Sequence, residues 1–413
     1  MSRVAITARN WLLMLLILAG VLNYVDRQLI AVLKPLLQDS LHWTDTDYSN
    51  LTSIFQFAAA FALLGSGWVV DRVGWQRANT LAVGSWSLAT MAHALPRTVG
   101  EFIPARIALG AAVSLSTPSA VKTIAENFDP RDSSMAFGFL NAAGNAGAIV
   151  TPLLIPIVVI AVGWSGAFLA AGALGLLWVL VWILFVRSLP RSVAGTDLRA
   201  LGAGERVSMR RVLAERRTWA IAGGKALSDS VWWFLLFWAP DFFSRIFHLS
   251  MQAFALPLAL IYAMAALGSL LGGLACSRLI SAGTAPVEAR KLTMLASGSV
   301  VLILPAALFV QSYWTAALIL GLTLAAHQGF SVSLFALISD VTPRGSVATT
   351  VSLGAFCGNF AGMGILHWAG RLIGGGAGYG LLFSLGAVAY LLALAWIHWV
   401  LPRTDPAPRA APA

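Results

Sequence analysis

Charged side chains lie within segments of this chain that otherwise consist of apolar residues. Lys225 and Asp229 belong to the stretch GKALSDSVWWF, inside an apolar run from Trp219 to Pro240. Residues four apart share one face of a helix, so the ammonium and the carboxylate can neutralise each other. A charge at the middle of a membrane costs at least about 2.5–3.5 kcal/mol, so such residues are functional by default. Two interpretations stay open: a structural ion pair, or a lysine that binds an anion while the aspartate tunes it.

A second charged pair, Asp26 and Arg27, lies in the stretch NYVDRQ of the first apolar segment. Adjacent residues point about 100° apart on a helix, so these two side chains cannot simply neutralise each other. The planar guanidinium of Arg27 suits a carboxylate, which leaves Asp26 as a candidate proton carrier. The alternative is a helix-end pair at the membrane surface.

The composition places these residues in a membrane protein. Of 413 residues, 58% are hydrophobic and only 11% are charged, and the mean hydropathy is +0.80. Apolar runs long enough to cross the roughly 30 Å hydrocarbon core recur along the whole chain. We predict an all-α polytopic membrane protein with twelve transmembrane helices. The predicted spans are 10–33, 48–70, 77–96, 99–122, 135–160, 164–186, 218–245, 251–276, 291–311, 313–340, 346–371 and 378–401.

The distribution of charge predicts the topology and the domains. The net charge is +10, but the basic residues lie in short loops rather than on one solvated face, which argues against nucleic-acid binding. Basic loops stay in the cytoplasm, so both termini are predicted to be cytoplasmic. The basic residues predicted on the outer side are Lys34, Arg97, Arg245 and Arg371. The predicted domains are an N-terminal six-helix bundle (1–186), a basic cytoplasmic linker (187–217), a C-terminal six-helix bundle (218–401) and a disordered cytoplasmic tail (402–413).

The two halves of the chain repeat one motif. The stretch PRDSSMAFGFLNAAGNAG begins at Pro130, and PRGSVATTVSLGAFCGNFAG begins at Pro343. Both place Pro-Arg-x-Ser in a turn and a Gly-Asn pair in the following helix. Two six-helix halves related by duplication are typical of transporters whose binding site lies between the halves at mid-membrane.

A loop motif and four further stretches resemble one transporter family. GWVVDRVGWQR, from Gly67, is similar to the G-x-x-x-D-[RK]-x-G-x-x-[RK] loop of the major facilitator superfamily. Within that superfamily the chain resembles the anion:cation symporters, and specifically their hexuronate transporter branch. The stretches that carry this resemblance are NYVDRQ, GKALSDSVWWFLLFWAP, AHQGFSVSLFALISD and SLGAFCGNFAGM. The resemblance implies the major facilitator fold, with two pseudo-symmetric six-helix halves.

The resemblance also implies roles for individual residues. Tyr24, Arg27 and Lys225 match substrate-binding positions, and Asp26 matches the family's aspartate. The residues expected in proton coupling are Asp26, Arg106, Asp229 and His327. One departure concerns the position seven residues after Arg106, where many of these symporters carry a glutamate and this chain has Val113. Val113 therefore makes a two-carboxylate proton mechanism uncertain.

The second half and the loops supply the remaining candidates. Gln328 and Ser333 are expected to bind substrate hydroxyl groups, and Trp232 to line the cavity. Asn359, from the repeated Gly-Asn pair, either binds a sugar hydroxyl or stabilises helix packing. His327 is either a proton relay or a hydrogen-bonded membrane histidine. The residues expected to form a cytoplasmic gate are Asp71, Arg72, Arg77, Asp340 and Arg344.

Taken with the resemblance, these features predict a secondary active transporter that imports a small organic anion, a sugar acid such as a hexuronate, by proton symport and alternating access. One alternative is a uniporter or exchanger of an aldonate, an aldarate or a short carboxylate without proton coupling. Another is a membrane sensor or channel. Because the sequence has no P-loop, metal-ligand cluster or nucleophile elbow, no enzyme or ATP-driven pump is expected. We expect no metal or cofactor, and we expect the proton gradient to be the energy source. The protein is expected to be a monomer in the inner membrane, and its partners are expected to be the substrate, protons and lipid.

Overall fold

The computed structural model describes residues 3–128, 130–188, 209–342, 347–375 and 378–401. Regular structure in these residues is entirely helical. The helices are α1 (Arg3–Leu41), α2 (Asp45–Ala92), α3 (Val99–Val113), α4 (Ser116–Asn127), α5 (Pro130–Ser188), α6 (Met209–Ala214), α7 (Arg216–Phe247), α8 (Ala255–Ser281), α9 (Pro286–Val301), α10 (Tyr313–Val341), α11 (Val347–Gly374) and α12 (Gly378–Val400). A short 3₁₀ turn, Leu304–Leu308, follows α9.

Two of these helices each contain two predicted spans. α2 turns at Gly74 and α5 turns at Gly163, where φ is +77° and +71°. Glycine adopts such left-handed conformations readily because it has no Cβ. In contrast, α3 and α4 together form one span that is interrupted at Ser114 and Leu115. Counting α2 and α5 twice gives twelve crossing segments in the described residues, so the predicted twelve-helix fold is confirmed.

Length and hydropathy alone identify fewer spans. Nine helical stretches in the described part of the chain are long and apolar enough to cross a membrane, and one of them contains both spans of α5. α7 is not among the nine, because Lys225 and Asp229 lower its hydropathy. Its side chains are nevertheless buried almost throughout. The neighbouring helices thus hold α7 inside the bundle although it carries charged residues.

Some predicted boundaries were wrong. The first span was predicted to end at residue 33, but α1 continues to Leu41. Lys34, expected in an outer loop, therefore lies within a helix and is fully buried. Residues 189–208 of the predicted linker and the tail from 402 lie outside the described residues, so that domain division remains a prediction.

The described helices form two packed halves. We call α1–α5 the first half and α7–α12 the second half. Helices α1 and α2 of the first half pack against α7 and α11 of the second, and α5 packs against α8. The end of the bundle with the α1–α2 turn (residues 42–44) is called the first-loop side, and the opposite end the linker side. By the charge pattern, the first-loop side is predicted to face outward.

Candidate functional site

Arg27 lies in a cage of aromatic rings between the two halves. Its guanidinium carbon is 5.7 Å from the Tyr24 ring centroid, 6.0 Å from that of Phe55 and 5.7 Å from that of Trp233. Its Nε is buried and has no hydrogen-bond partner. Cation–π contacts of this kind hold a guanidinium in place without neutralising its charge. Arg27 is thus positioned with its charge free to meet an anion.

Asp26 points away from Arg27, as the helical geometry predicts. Its carboxylate is buried, and neither oxygen has a hydrogen-bond partner. The Thr90 hydroxyl, in the second segment of α2, interacts electrostatically with this carboxylate but makes no hydrogen bond of normal geometry with it. Asp26 therefore lies within the first half rather than in the aromatic cage. A carboxyl group without fixed partners is suited to take up and release a proton.

Arg106 is a second buried cation that has no carboxylate partner among the described residues. Its Nε donates to the Leu51 carbonyl at 3.3 Å, but both terminal nitrogens lack partners. Its guanidinium carbon lies 4.5 Å from the Phe55 ring, which also contacts Arg27. Val113, two helical turns further along α3, is buried and apolar. The substitution of valine for the expected glutamate leaves this region of the first half with a positive charge.

The ion pair predicted on α7 is present. Lys225 Nζ lies 2.7 Å from Asp229 Oδ2, and the two side chains are 8% and 12% exposed. α11 approaches them closely, because Gly354 packs on Lys225 and Gly358 packs on Asp229. A Cβ at Gly358 would collide with the Asp229 carboxylate. The glycine of the second Gly-Asn pair is thus required by the close approach of the carboxylate.

Tyr24 connects the site residues of the two halves. It interacts electrostatically with Arg27 of its own helix and with Asp229 of α7. Gly144 of α5 accepts its ring, since a Cβ there would overlap the ring, and Gly147 packs on the Tyr24 Cβ and the Val21 carbonyl. Gly144 belongs to the first Gly-Asn pair. The repeated glycine therefore has the same role in each half: it leaves space for a side chain of α1 in the first half and of α7 in the second.

Trp232 and His327 form a second cluster, beside Lys225. The rings of Trp232 and His327 stack with centroids 4.9 Å apart and planes at 18°. His327 Nδ1 lies 2.7 Å from the Tyr390 hydroxyl oxygen. Tyr390 was not identified from the sequence, since a lone tyrosine in an apolar helix carries no pattern. Trp233, which the sequence did not distinguish from Trp232, contacts Arg27 instead.

The three amide and hydroxyl candidates have different surroundings. Gln328 Nε2 lies 3.4 Å from Oδ1 of Asn145, so this contact crosses between the halves. Asn145 is the asparagine of the first Gly-Asn pair. Only Asn359, the asparagine of the second pair, was predicted from the sequence to be a site residue. Ser333 donates to the Gly329 carbonyl and Asn359 to the Ala355 carbonyl, each within its own helix. Of the three, Gln328 is the side chain placed between the halves.

The described residues of the expected cytoplasmic gate lie on the linker side. Arg72 stacks on Trp68 with its guanidinium carbon 4.1 Å from the ring, and Arg77 is exposed. Asp340 pairs with Arg290 of α9 at 3.3 Å. The side chain of Asp71 and the whole of Arg344 lie outside the described part of the chain. The expected roles of Asp71 and Arg344 in the gate therefore remain predictions.

An ion network that was not predicted from the sequence closes the first-loop side. Lys34 Nζ lies 2.9 Å from Asp45 Oδ1 and also pairs with Asp241 Oδ1. Arg245 Nη2 donates to both oxygens of Asp45 at 2.7 Å, and its Nε lies 3.3 Å from Asp241 Oδ2. Tyr379 also donates to Asp241. Two cations and two carboxylates are thus shared between the halves, and their charges balance.

Further hydrogen bonds extend this closure toward the middle of the bundle. The Tyr48 hydroxyl donates to the Phe237 carbonyl at 2.6 Å. Ser53 donates to the Met363 carbonyl at 3.1 Å. Gly370 of α11 packs directly on Asp45 and Ser49. The structure therefore represents a state in which the first-loop side is shut.

The whole arrangement is two helical halves around a cationic, aromatic site, with a charged closure on one side. The family model described as Major Facilitator Superfamily matches residues 16–365. The chain belongs to this superfamily. It is accordingly a membrane-spanning transporter, and its fold and relatives are those of transporters rather than enzymes.

Curated and solved relatives agree with this assignment. This chain is 27% identical to the hexuronate transporter of Escherichia coli K12, over 97% of this chain and 95% of the relative. It is 27% identical to the galacturonate transporter of Dickeya chrysanthemi over 64% of this chain and 80% of the relative. Its fold matches a bacterial homologue of the human lysosomal transporter Spinster with a TM-score of 0.77, at 18% identity over 95% and 96% of the two chains.

Proposed function

We propose that this major facilitator protein imports a sugar acid of the hexuronate class together with protons. The observation that carries the proposal is the set of cationic side chains between the halves. Arg27 is caged by aromatic rings and has no carboxylate partner among the described residues, and Lys225 lies on α7, which packs against α1. Relatives named as hexuronate and galacturonate transporters support a carboxylate with several hydroxyl groups as the substrate.

The geometry supports a different role in substrate binding for each of these residues. Arg27 offers a planar fork to the substrate carboxylate, and Lys225 provides a second cation held by Asp229. The rings of Tyr24, Trp232 and Trp233 present flat apolar faces suited to the C–H face of a sugar. Gln328, at the contact between the halves, supplies an amide for a hydroxyl group. Ser333 and Asn359 stay candidates for hydroxyl binding, although each now donates within its own helix.

The ion network of the first-loop side suits alternating access. When the halves separate there, the Lys34–Asp241 and Asp45–Arg245 contacts must break. Lys34 keeps Asp45 within the first half, and Asp241 keeps Arg245 within the second. Each half therefore retains a neutral pair, which avoids the 3–5 kcal/mol penalty of leaving a buried charge unpaired. This side can consequently open without leaving a charged side chain unpaired in either half.

The first test of the substrate class is a ligand-binding screen by thermal unfolding. Purified wild type should be stabilised by hexuronates more than by aldonates, aldarates or short carboxylates, because ligand that binds only the folded state raises the unfolding temperature. Arg27→Lys keeps the charge but loses the fork, so it should lose most of that shift while its own unfolding temperature stays near that of wild type.

The matched control is Arg97→Lys, an arginine on the exposed first-loop side that stacks on Trp164. This variant should respond to hexuronate as wild type does. A full response from Arg27→Lys would remove Arg27 from the binding site. A wild type stabilised by short carboxylates but by no sugar acid would favour the other class of anion.

Proton coupling is expected to depend on Asp26. Val113 removes the other expected carboxylate of the first half, and Asp229 is engaged by Lys225. Asp26→Asn, which mimics the protonated state, should abolish accumulation driven by a pH gradient yet retain exchange of labelled for unlabelled substrate. Exchange needs only the loaded carrier to reorient, whereas net uptake requires the proton to leave. The two assays are made in proteoliposomes.

Asp39→Asn is the control, since Asp39 is an exposed carboxylate further along the same helix. It should leave both assays unchanged. If the Asp26 variant still concentrates substrate in response to the gradient, Asp26 is not the coupling residue.

A further inference from the structure

His327 has a hydrogen-bonding environment that fixes where its proton lies. The imidazole is 4% exposed and stacks on Trp232, so its plane is held by the indole. Its Nδ1 lies 2.7 Å from the Tyr390 hydroxyl, and the same hydroxyl donates to the Ser228 carbonyl at 3.2 Å. Three helices, α7, α10 and α12, thus meet at one phenol oxygen.

The single phenol proton decides the tautomer. The Ser228 carbonyl can only accept, so a Tyr390 proton directed to His327 would leave two oxygens facing each other at 3.2 Å without a hydrogen. With the proton on the carbonyl side, the phenol oxygen must accept from His327. Nδ1 therefore carries the ring hydrogen, and Nε2 of the neutral ring carries a lone pair.

Burial of the ring, and then the positive charge of Lys225, favour this neutral form. Lys225, on the adjacent face of α7, interacts electrostatically with the imidazole. A second positive charge on the ring would be repelled by that ammonium. The one nearby carboxylate described, Asp229, is 2.7 Å from Lys225 and so already engaged. Tyr390 interacts with Asp229 but donates to Ser228.

We propose that His327 is a neutral hydrogen-bond acceptor that selects a hydroxyl group of the substrate, and that Tyr390 is the residue that positions it. This inference rests on the proposed function for its ligand, a hydroxylated carboxylate. Nε2 accepts a substrate O–H, while the carboxylate of the same substrate meets the cations. The role differs from the proton relay that the sequence left open for His327.

The protonation state can be measured without a substrate. The spectrum of ¹⁵N-histidine-labelled protein in nanodiscs contains six histidines, and comparison with His327→Gln identifies the signals of His327. The expected result is a neutral ring with hydrogen on Nδ1 throughout about pH 5.5–7.5, where an ordinary histidine titrates. Tyr390→Phe should allow both tautomers. An imidazolium, or hydrogen on Nε2, in the wild type would overturn the proposal.

Substrate selectivity tests the role itself. In competition uptake, His327→Leu should lower the affinity for the parent hexuronate about tenfold or more. The same variant should leave unchanged the affinity for a deoxy analogue that lacks the hydroxyl group bound by Nε2. His327→Gln, which can place an amide oxygen near the Nε2 position, should recover part of the loss. Tyr390→Phe should raise KM more than it lowers the maximal rate. Accumulation driven by a pH gradient should survive in all three variants.

Two contrary patterns would overturn the role. A uniform loss for every analogue would mean that His327 is structural, and a loss of gradient-driven accumulation at unchanged affinity would mean that it carries the proton. His248→Gln, at the exposed α7–α8 connection, controls for loss of a histidine. If wild type bound no sugar acid, the proposed function would fail as well, whereas normal binding with unaffected His327 variants would refute this inference alone.

Discussion

Lys225→Ala is expected to reduce uptake to background and to lower the amount of folded protein. The substitution removes the proposed substrate cation and leaves Asp229, 12% exposed, without its partner at 2.7 Å. Removing one partner of a buried pair costs about 3–5 kcal/mol, whereas replacing both partners is often nearly neutral. The double variant Lys225→Ala/Asp229→Ala should therefore recover the folded amount without recovering uptake. Folded amount is measured by size-exclusion chromatography and uptake in proteoliposomes.

The double variant distinguishes a functional pair from a structural one. If the pair only stabilised packing, restoring folding would restore transport too. Lys291→Ala, at a partly exposed lysine of α9, is the matched control and should match wild type in both measurements. Uptake by the double variant would show that Lys225 does not bind the substrate.

Asp241→Asn is expected to open the first-loop side. The network would then hold two cations, Lys34 and Arg245, for the single carboxylate of Asp45. Asp241→Asn removes the Lys34–Asp241 contact, which exists only in the closed state, but it also leaves Arg245 unpaired in the open second half. The first effect is larger, because Lys34 is fully buried whereas the Arg245 side chain is 40% exposed. A net loss of about 1.4 kcal/mol from the closed state raises the open population tenfold. The reporter is a cysteine at Ser53, which now bonds across the halves to Met363. Its labelling by an impermeant maleimide from the first-loop side should accelerate at least tenfold.

Two further variants make this prediction specific. Cys276 and Cys357 are first replaced by serine so that the reporter is the only thiol. Lys34→Met combined with Asp241→Asn restores the charge balance and leaves Asp45–Arg245 as one pair between the halves, so labelling should slow again. Asp39→Asn should not change it. Equal labelling rates in wild type and Asp241→Asn would show that the network does not hold this side shut.

The local features of the site could be predicted from the sequence. Spacing of four residues gave the Lys225–Asp229 pair, and adjacency gave the divergence of Asp26 from Arg27. Both follow from the geometry of one helix, which does not depend on neighbours. The resemblance to a family correctly implied the fold of the two halves.

Contacts between distant helices could not be predicted in this way. Lys34 and Asp241 are far apart in the sequence, and hydrophobic periodicity shows which face of a helix is buried but not which helix covers it. For the same reason Trp232 and Trp233, adjacent in sequence, were not told apart although they face His327 and Arg27. One signal was available: Asp241 is a carboxylate within an aromatic, apolar run, and such residues are functional by default.

Proton-driven transport of a sugar acid can be measured directly as the uptake of a radiolabelled hexuronate into proteoliposomes. The measurement compares vesicles that are acidic outside and alkaline inside with vesicles at equal pH. We expect accumulation above the external concentration only with the gradient, and we expect it to collapse when a protonophore is added. Uptake that stops at equal concentrations in both conditions would contradict proton coupling and identify a uniporter or exchanger. No uptake in either condition would contradict the assigned substrate.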